Sequence, residues 1–258
     1  MKKEICLLLF AITLTAVVWI GCNKDGDDIT VDPDPTYGTL KVTFKGKVGS
    51  DEFVMYNEYT NSDNQVYRVE GLKYYFSNVV LVKSENTEEK IDSVALINFV
   101  NNHTAAGNTG ESISFTVESG SYKGLKFYVG IDSTTNHVDP SLYASKHPLS
   151  SFNDTHWDWS QGFKFFMIDG KFDSDTSGTP NQSFSFHIGL DDYLKTIDFS
   201  DKSFTVSENN TSEYSIELDI SKIFDSVDLL TNSFTHSTSN FDLVSKISTN
   251  YTNAMTKP

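Results

Sequence analysis

Cysteine is nearly absent from this chain. Of its 258 residues only two are cysteines, Cys6 and Cys22, and both lie close to the N-terminus. The rest of the sequence therefore has neither a disulfide framework nor the ligands of a cysteine-based zinc site.

Positive charge is also scarce. The chain has 20 lysines and arginines against 35 aspartates and glutamates, which gives a formal net charge of -15 at pH 7. Such an acidic surface repels phosphate backbones and argues against nucleic-acid binding. Aromatic residues make up 13% of the chain, which supplies a core and excludes a disordered protein.

Long apolar segments are limited to residues 7–20, a run shorter than the roughly 20 residues of a membrane span. The run follows a lysine pair and ends at Gly21-Cys22. This pattern resembles a lipoprotein signal, in which residues 1–21 are removed and Cys22 carries the lipid; an ordinary secretory signal is the alternative. We expect a cell-envelope protein, on the periplasmic face of the outer membrane or at the cell surface, that touches the membrane only through this anchor.

Residues 22–37 form a predicted tether. They are rich in aspartate, contain prolines and have almost no large apolar side chains, so they cannot bury a core. The acidic start resembles the surface-export signals of Bacteroidetes lipoproteins, and a solvated linker explains it equally well.

Residues 38–258 form the predicted single domain. Short runs in which apolar and polar residues alternate are typical of half-buried strands, and turn-rich segments separate them. The pattern predicts an all-β fold, an antiparallel β-sandwich or barrel-like domain with short C-terminal helices. Helices are expected at 221–230 and 240–255, the second with Ser239 or Asn240 as its N-cap. The predicted strands are 40–44, 74–82, 112–117, 125–131, 163–168, 183–188, 203–206 and 214–220.

Two segments carry most of the candidate chemistry. In the first, Trp157 and Trp159 would share one face of a strand, opposite His156. In the second, the segment 184–189, alternation puts the phenylalanines on one face and His187 on the other.

Several segments together resemble the MbnP family, copper-binding periplasmic proteins encoded beside methanobactin genes, in a Bacteroidetes-type lipoprotein form. The most specific part is the Trp-x-Trp-x-x-Gly-aromatic run that starts at Trp157, followed by Phe-His-Ile-Gly at 186–189. The other resembling segments are 72–79, 130–140, 147–150, 234–237 and 250–255.

The resemblance implies a β-rich copper-binding domain. Some family members bind copper through two histidines and a kynurenine, which a diheme peroxidase-like partner enzyme is thought to make by oxidising a tryptophan. Here it implies His187, His137 and His156 as metal ligands, with Trp157 or Trp159 at the oxidised position. An outer-membrane transporter is a second implied partner.

The chemistry of the histidines is compatible with copper. Neutral imidazole binds copper in both oxidation states, and two imidazoles suit the low coordination of Cu(I). Zn²⁺ and Ni²⁺ also accept histidine, so the sequence leaves the metal open. Of the other histidines, His147 and His236 fit loop packing, and His103 is expected to be exposed to solvent.

Other functions find less support. No hydrolase, phosphate-loop or metalloprotease motif is present, and we expect no enzymatic activity. Asp169, Asp173 and Asp175 lack the spacing of a calcium loop and predict a solvated turn. The alternative function is a metal-free surface module that binds a ligand or protein through polar loops and exposed aromatic side chains.

Overall fold

The computed structural model describes residues 34–85, 87–158 and 160–258. The predicted signal segment, Cys22 and most of the tether lie outside these residues. Within the described part, fourteen strands and three α-helices are formed. The strands are β1 (Tyr37–Val48), β2 (Asp51–Glu52), β3 (Glu58–Thr60), β4 (Val66–Lys83), β5 (Glu88–Asn98), β6 (Glu111–Glu118), β7 (Gly120–Val129), β8 (Lys164–Phe172), β9 (Gln182–Gly189), β10 (Lys195–Phe199), β11 (Phe204–Val206), β12 (Thr211–Asp219), β13 (Phe234–Thr235) and β14 (Met255–Thr256). The helices are α1 (Ser133–Asn136), α2 (Ile220–Ile223) and α3 (Phe241–Ala254).

The strands form two curled sheets that pack as a sandwich. The smaller sheet has the order β14-β12-β1-β2, with β6 also paired to β1. The larger sheet has the order β10-β7-β4-β8-β9-β13, with β3 and β5 joined to β4 and β11 joined to β7. The predicted all-β sandwich is therefore confirmed, although two pairs, β1 with β12 and β9 with β13, are parallel.

The main core lies between the sheets. Phe44 of β1 meets Phe76 and Tyr74 of β4 edge-on, with ring centroids 4.9 and 6.2 Å apart. Such aromatic contacts add to the stabilisation that burial of the rings provides. The apolar residues of the alternating pattern that predicted the strands are thus the residues that form the core.

A second, smaller cluster lies beneath the loop segment 131–163. Tyr75 packs edge-on against Phe163 at 5.8 Å, within a cluster separate from the main core. The Tyr75 hydroxyl donates to the Pro148 carbonyl at 3.0 Å and lies 2.6 Å from the Thr155 hydroxyl. These bonds fix the loop on the large sheet beside β8.

The C-terminal helix is formed as predicted. α3 begins after Asn240, whose side chain accepts a hydrogen bond from the Leu243 N–H. Its apolar stripe packs inward, and Tyr251 stacks on Phe166 of β8 at 4.4 Å. No helix in the described part of the chain is both long and apolar enough to cross a membrane.

The expected helix at 221–230 is wrong beyond its first turn. α2 ends at Ile223, and the chain then reverses through Ser226, whose φ of 56° lies outside the helical region. All the predicted strands overlap observed ones, but β5, β10 and the short strands β2, β3, β13 and β14 were not predicted. In β5, charged residues interrupt the apolar pattern of the first half.

Candidate metal centre

His187 lies on the outer face of the large sheet. Its strand neighbours Phe184 and Phe186 belong to the main core, whereas the His187 side chain points the other way and is 13% exposed. This placement follows from strand alternation and confirms that part of the prediction.

Asp169 and Ser185 fix one side of the His187 ring. Nε2 of His187 lies 2.9 and 3.1 Å from the two carboxylate oxygens of Asp169, and the Ser185 hydroxyl donates to that carboxylate at 2.6 Å. Burial raises the pKa of Asp169, but the hydrogen bonds from His187 and Ser185 favour its ionised form, and the pKa is lowered. An ionised carboxylate only accepts, so Nε2 carries the hydrogen and Nδ1 keeps its lone pair.

Serine, histidine and aspartate meet here without forming a nucleophilic triad. In such a triad the serine and the aspartate bond to opposite nitrogens of the imidazole. Here the Ser185 hydroxyl lies 3.2 Å from the same Nε2 that bonds Asp169, and it donates to the carboxylate. His187 therefore cannot accept the serine proton while Asp169 orients it.

Nδ1 of His187 is the distinctive atom of the site. It is buried and has no hydrogen-bond partner among the described residues. Buried polar atoms nearly always have a partner, because leaving one without costs about 1–3 kcal/mol. A carboxylate bonded to one nitrogen of a histidine is the arrangement that orients metal-ligating histidines, and His187 shares it.

His236 packs directly against His187. The two rings are stacked, with centroids 4.6 Å apart and planes within 8° of each other. β13 runs parallel to β9 in a register that puts His236 level with His187. Ser237 ties the two strands together, because its hydroxyl accepts the Gly189 N–H at 2.8 Å and donates to the His187 carbonyl at 3.1 Å.

Trp157 closes the site on a third side. Its ring centroid lies 6.2 Å from that of His236, and its Nε1 is buried without a partner in the described part of the chain. The indole lies over Gly189, where a Cβ would come within 2.6 Å of a ring carbon. Only glycine permits this close approach. Trp159, the other candidate for oxidation, lies outside the described residues.

The pKa of His236 keeps this imidazole neutral. Burial lowers the pKa, and the neighbouring His187 and Lys164 lower it further, despite the opposing charge of Asp169. Lys164 is itself 9% exposed and donates to the Asp154 carbonyl at 3.2 Å. Neutral imidazole is the form that binds metal ions, so the His236 ring is a competent donor.

A cavity of about 360 Å³ opens in front of His187. Its walls include Lys164, Met167 and Asp169, so His187 borders a polar recess. A larger cavity of about 520 Å³ lies between β5 and β7, but no histidine lines it. The chemistry therefore belongs to the smaller cavity.

His187 and His236 have the right chemistry for copper, but the orientation of their rings suits joint coordination only in part. No group of three or more His, Cys, Asp or Glu side chains in the described part of the chain is arranged to hold a metal ion. Because the rings of His187 and His236 are stacked, their in-plane lone pairs do not converge. Joint coordination therefore requires the His236 ring to rotate, while Nδ1 of His187 is already placed.

The other two histidines named from the sequence have different surroundings. His137 is exposed, with Nε2 3.5 Å from the Asp191 carboxylate. His156 meets Phe163 edge-on at 4.8 Å, and burial lowers its pKa. The sequence resemblance implied His137 and His156 as metal ligands and left His236 as a loop residue. In the structure it is His236 that stacks on His187.

His103 contradicts its prediction. It is fully buried and stacks on Phe99 at 4.0 Å. Its Nε2 accepts the Gly46 N–H at 3.1 Å, and its Nδ1 lies 2.6 Å from the Asn102 side-chain oxygen. Burial lowers its pKa to about 4. The polar residues next to His103 predicted exposure, but the rings of Phe99 and, from a distant segment, Phe53 pack against it.

A single family profile spans most of the chain. The profile of MbnP matches residues 37–242. This chain belongs to the MbnP family. Among solved structures, MbnP from Methylosinus trichosporium shares the fold with a TM-score of 0.55 and 17% identity, over 75% of this chain and 80% of that chain. No curated protein matches the sequence. The family inferred from the motifs is thereby confirmed, and the Bacteroidetes-type branch stays a prediction.

Proposed function

We propose that this MbnP-family protein captures copper as Cu(I) in the cell envelope and hands it on, without turnover of its own. One observation carries the proposal: Nδ1 of His187 is buried, lacks a partner among the described residues and keeps its lone pair because Asp169 bonds Nε2. The copper association that the family resemblance implies supports the identity of the metal.

The residues divide the task among them. His187 supplies the placed donor and His236 a second neutral imidazole after its ring rotates. Two neutral donors suit Cu(I), which tolerates low coordination, and they add no negative charge that would favour a divalent ion. Trp157 excludes water from one side, which protects Cu(I) from oxidation. The protein is proposed to hand copper on. Because the His236 ring must rotate to bind the metal, its return to the stacked position offers a route for release.

The family's other features enter the proposal with this site. Oxidation of Trp157 to kynurenine by a diheme peroxidase-like partner would add a donor beside His236. Trp159 is the other proposed position of this oxidation. An outer-membrane transporter is the proposed recipient or source of the metal. Lipid attachment at Cys22 would keep the protein at the outer membrane.

The direct test is a Cu(I) competition titration against a chromogenic chelator, using the mature protein purified from its native envelope. We expect the wild type to bind one Cu(I), and His187→Ala to bind it more than about 100-fold more weakly, as loss of a direct ligand should exceed loss of a supporting residue. His236→Ala should weaken binding in the same direction. His147→Ala is the matched control, because His147 is a half-buried loop histidine that accepts the Leu149 N–H.

The same variant set can overturn the proposal. Unchanged Cu(I) affinity in His187→Ala would remove the centre described here. Loss of affinity in His137→Ala or His156→Ala instead would move the copper site to those residues. Intact mass measurement of the same preparation reports whether a tryptophan is oxidised.

A metal-free binding module is the second candidate function. Its support is the exposure of Leu142 and Phe152, each 79% exposed on the loops that cover the second cluster. If the wild type binds no Cu(I), replacing both by serine should abolish capture of the partner while the fold is unchanged.

A further inference from the structure

Met167 is a buried methionine that packs in neither hydrophobic cluster. It is 7% exposed, and its neighbours Phe166 and Ile168 belong to the main core, whereas Met167 does not. It lines the polar cavity in front of His187. A methionine that served only to fill space would be expected among apolar side chains.

The strand register places Met167 beside His187. The two residues are direct partners in the antiparallel ladder of β8 and β9. Partners of this kind lie on the same face of a sheet, with Cβ atoms about 4.5–5.5 Å apart. His236 lies one residue beyond β13 and stacks on His187, with ring centroids 4.6 Å apart. Met167 on β8, His187 on β9 and His236 just after β13 therefore lie side by side in one row.

The row has a chemistry that the histidines alone lack. A thioether is a soft donor that selects Cu(I), whereas imidazole also accepts Zn²⁺ and Ni²⁺. The two cysteines lie within the first 22 residues, so beyond that point methionine is the source of soft donors. Met55 and Met255 both pack in the main core, which leaves Met167 as the sulfur that faces the cavity.

We propose that the Met167 thioether is a third copper donor, which completes a nitrogen–nitrogen–sulfur site with His187 and His236 and makes it selective for Cu(I) over Zn²⁺. The inference rests on the proposed function, because it assigns a further ligand to the same centre. Met167 lies on β8 and is placed by the ladder, so its donation needs only a rotation of its flexible side chain.

The test compares Met167→Leu with Met255→Leu in the mature protein. Leucine keeps the volume of methionine and removes the sulfur. X-ray absorption of the Cu(I)-loaded wild type should show one sulfur scatterer, and Met167→Leu should lose it. Cu(I) affinity should fall by at least about tenfold in Met167→Leu, a loss in the range seen even for supporting residues of metal sites. Zn²⁺ affinity should change by less than about twofold, because zinc does not favour a thioether.

Each outcome separates this inference from the proposed function. Cu(I) binding by the wild type with nitrogen donors alone would overturn the role of Met167 and leave the histidine site standing. Equal losses of Cu(I) and Zn²⁺ affinity in Met167→Leu would also overturn it, since they would report a packing defect. Absence of Cu(I) binding in the wild type would overturn both. Met255→Leu should leave both affinities and the sulfur signal unchanged.

Discussion

Two histidines in this protein are removed from solvent in opposite ways. His103 stacks on Phe99, and both of its nitrogens have partners within hydrogen-bond distance. His187 is also tightly packed, but only Nε2 is bonded, and the partner of Nδ1 is missing among the described residues. His103 is therefore part of the packed interior, whereas His187 has one ring nitrogen without a hydrogen-bond partner among the described residues.

The difference shows that burial by itself does not mark a functional histidine. Burial lowers the pKa of His103 to about 4 and keeps it neutral, yet its acceptor nitrogen is occupied by the Gly46 N–H. At His187 the carboxylate of Asp169 bonds the donor nitrogen, and the buried acceptor Nδ1 has no partner among the described residues. The tautomer that the neighbours enforce decides which ring can bind a metal.

The largest expected effects come from replacing each of the two histidines by alanine. His103→Ala should lower the free energy of unfolding by about 4 kcal/mol, as for other large buried rings, and leave Cu(I) affinity unchanged. His187→Ala should cost less stability, about 1–2 kcal/mol, because its side chain keeps some exposure to solvent, and should weaken Cu(I) binding more than about 100-fold. Urea denaturation and Cu(I) titration on the same preparations measure both. Copper binding lost with His103, at intact fold, would contradict the division.

The pH dependence of stability should report His103. Its folded pKa is about 4 and its reference value is 6.5, so between these limits the unfolded state binds more protons. The stabilisation is complete above pH 6.5 and is lost as the pH falls towards 4, with a total of about 3 kcal/mol. Denaturant unfolding at a series of pH values measures the slope, and an NMR titration of His103 measures its pKa directly. A midpoint near 6.5 for the folded protein would show that the ring is not buried as described.

The sequence was sufficient for the parts of this contrast that depend on local periodicity. Alternation in 184–189 put His187 on the face opposite the two phenylalanines, and the structure agrees. The sequence also predicted Ser239 or Asn240 as the N-cap of α3, and the structure shows Asn240, because capping depends on residues three apart. Short-range geometry of this kind needs no knowledge of the tertiary fold.

Some partners of both histidines come from distant parts of the sequence, and the local pattern did not predict these. His236 reaches His187 through the parallel pairing of β13 with β9, which no local pattern specifies. His103 is covered by Phe53 and Phe99, although its own segment is polar. Nothing in the sequence indicated that Met167 faces the cavity, because the apolar residues around it in β8 are typical of a core strand.

Asp169→Asn should sharpen the tautomer argument with a smaller effect. The amide can present its NH₂ to Nε2, which moves the ring hydrogen to Nδ1 and removes the lone pair. Cu(I) affinity should fall by about tenfold, within the range for residues that orient metal ligands. Nitrogen chemical shifts of His187 would show the change of tautomer in the metal-free protein. Glu70→Gln is the control, because Glu70 lines the same cavity and pairs with Arg68. An equal loss in both variants would mean that charge alone, not orientation, matters.

The smallest expected effect concerns the link between the two strands that carry the histidine pair. Ser237→Ala removes the hydroxyl that accepts the Gly189 N–H and donates to the His187 carbonyl. Stability should fall by about 1 kcal/mol, the usual net value of a buried hydrogen bond. Cu(I) affinity should fall by less than in Asp169→Asn, because His236 loses its fixed position while Nδ1 of His187 keeps its lone pair. Ser84→Ala, which removes one exposed hydroxyl-to-carbonyl bond, should change neither quantity. If Ser237→Ala left the His187–His236 stacking unchanged in NMR ring-current shifts, the strand pairing alone would position His236.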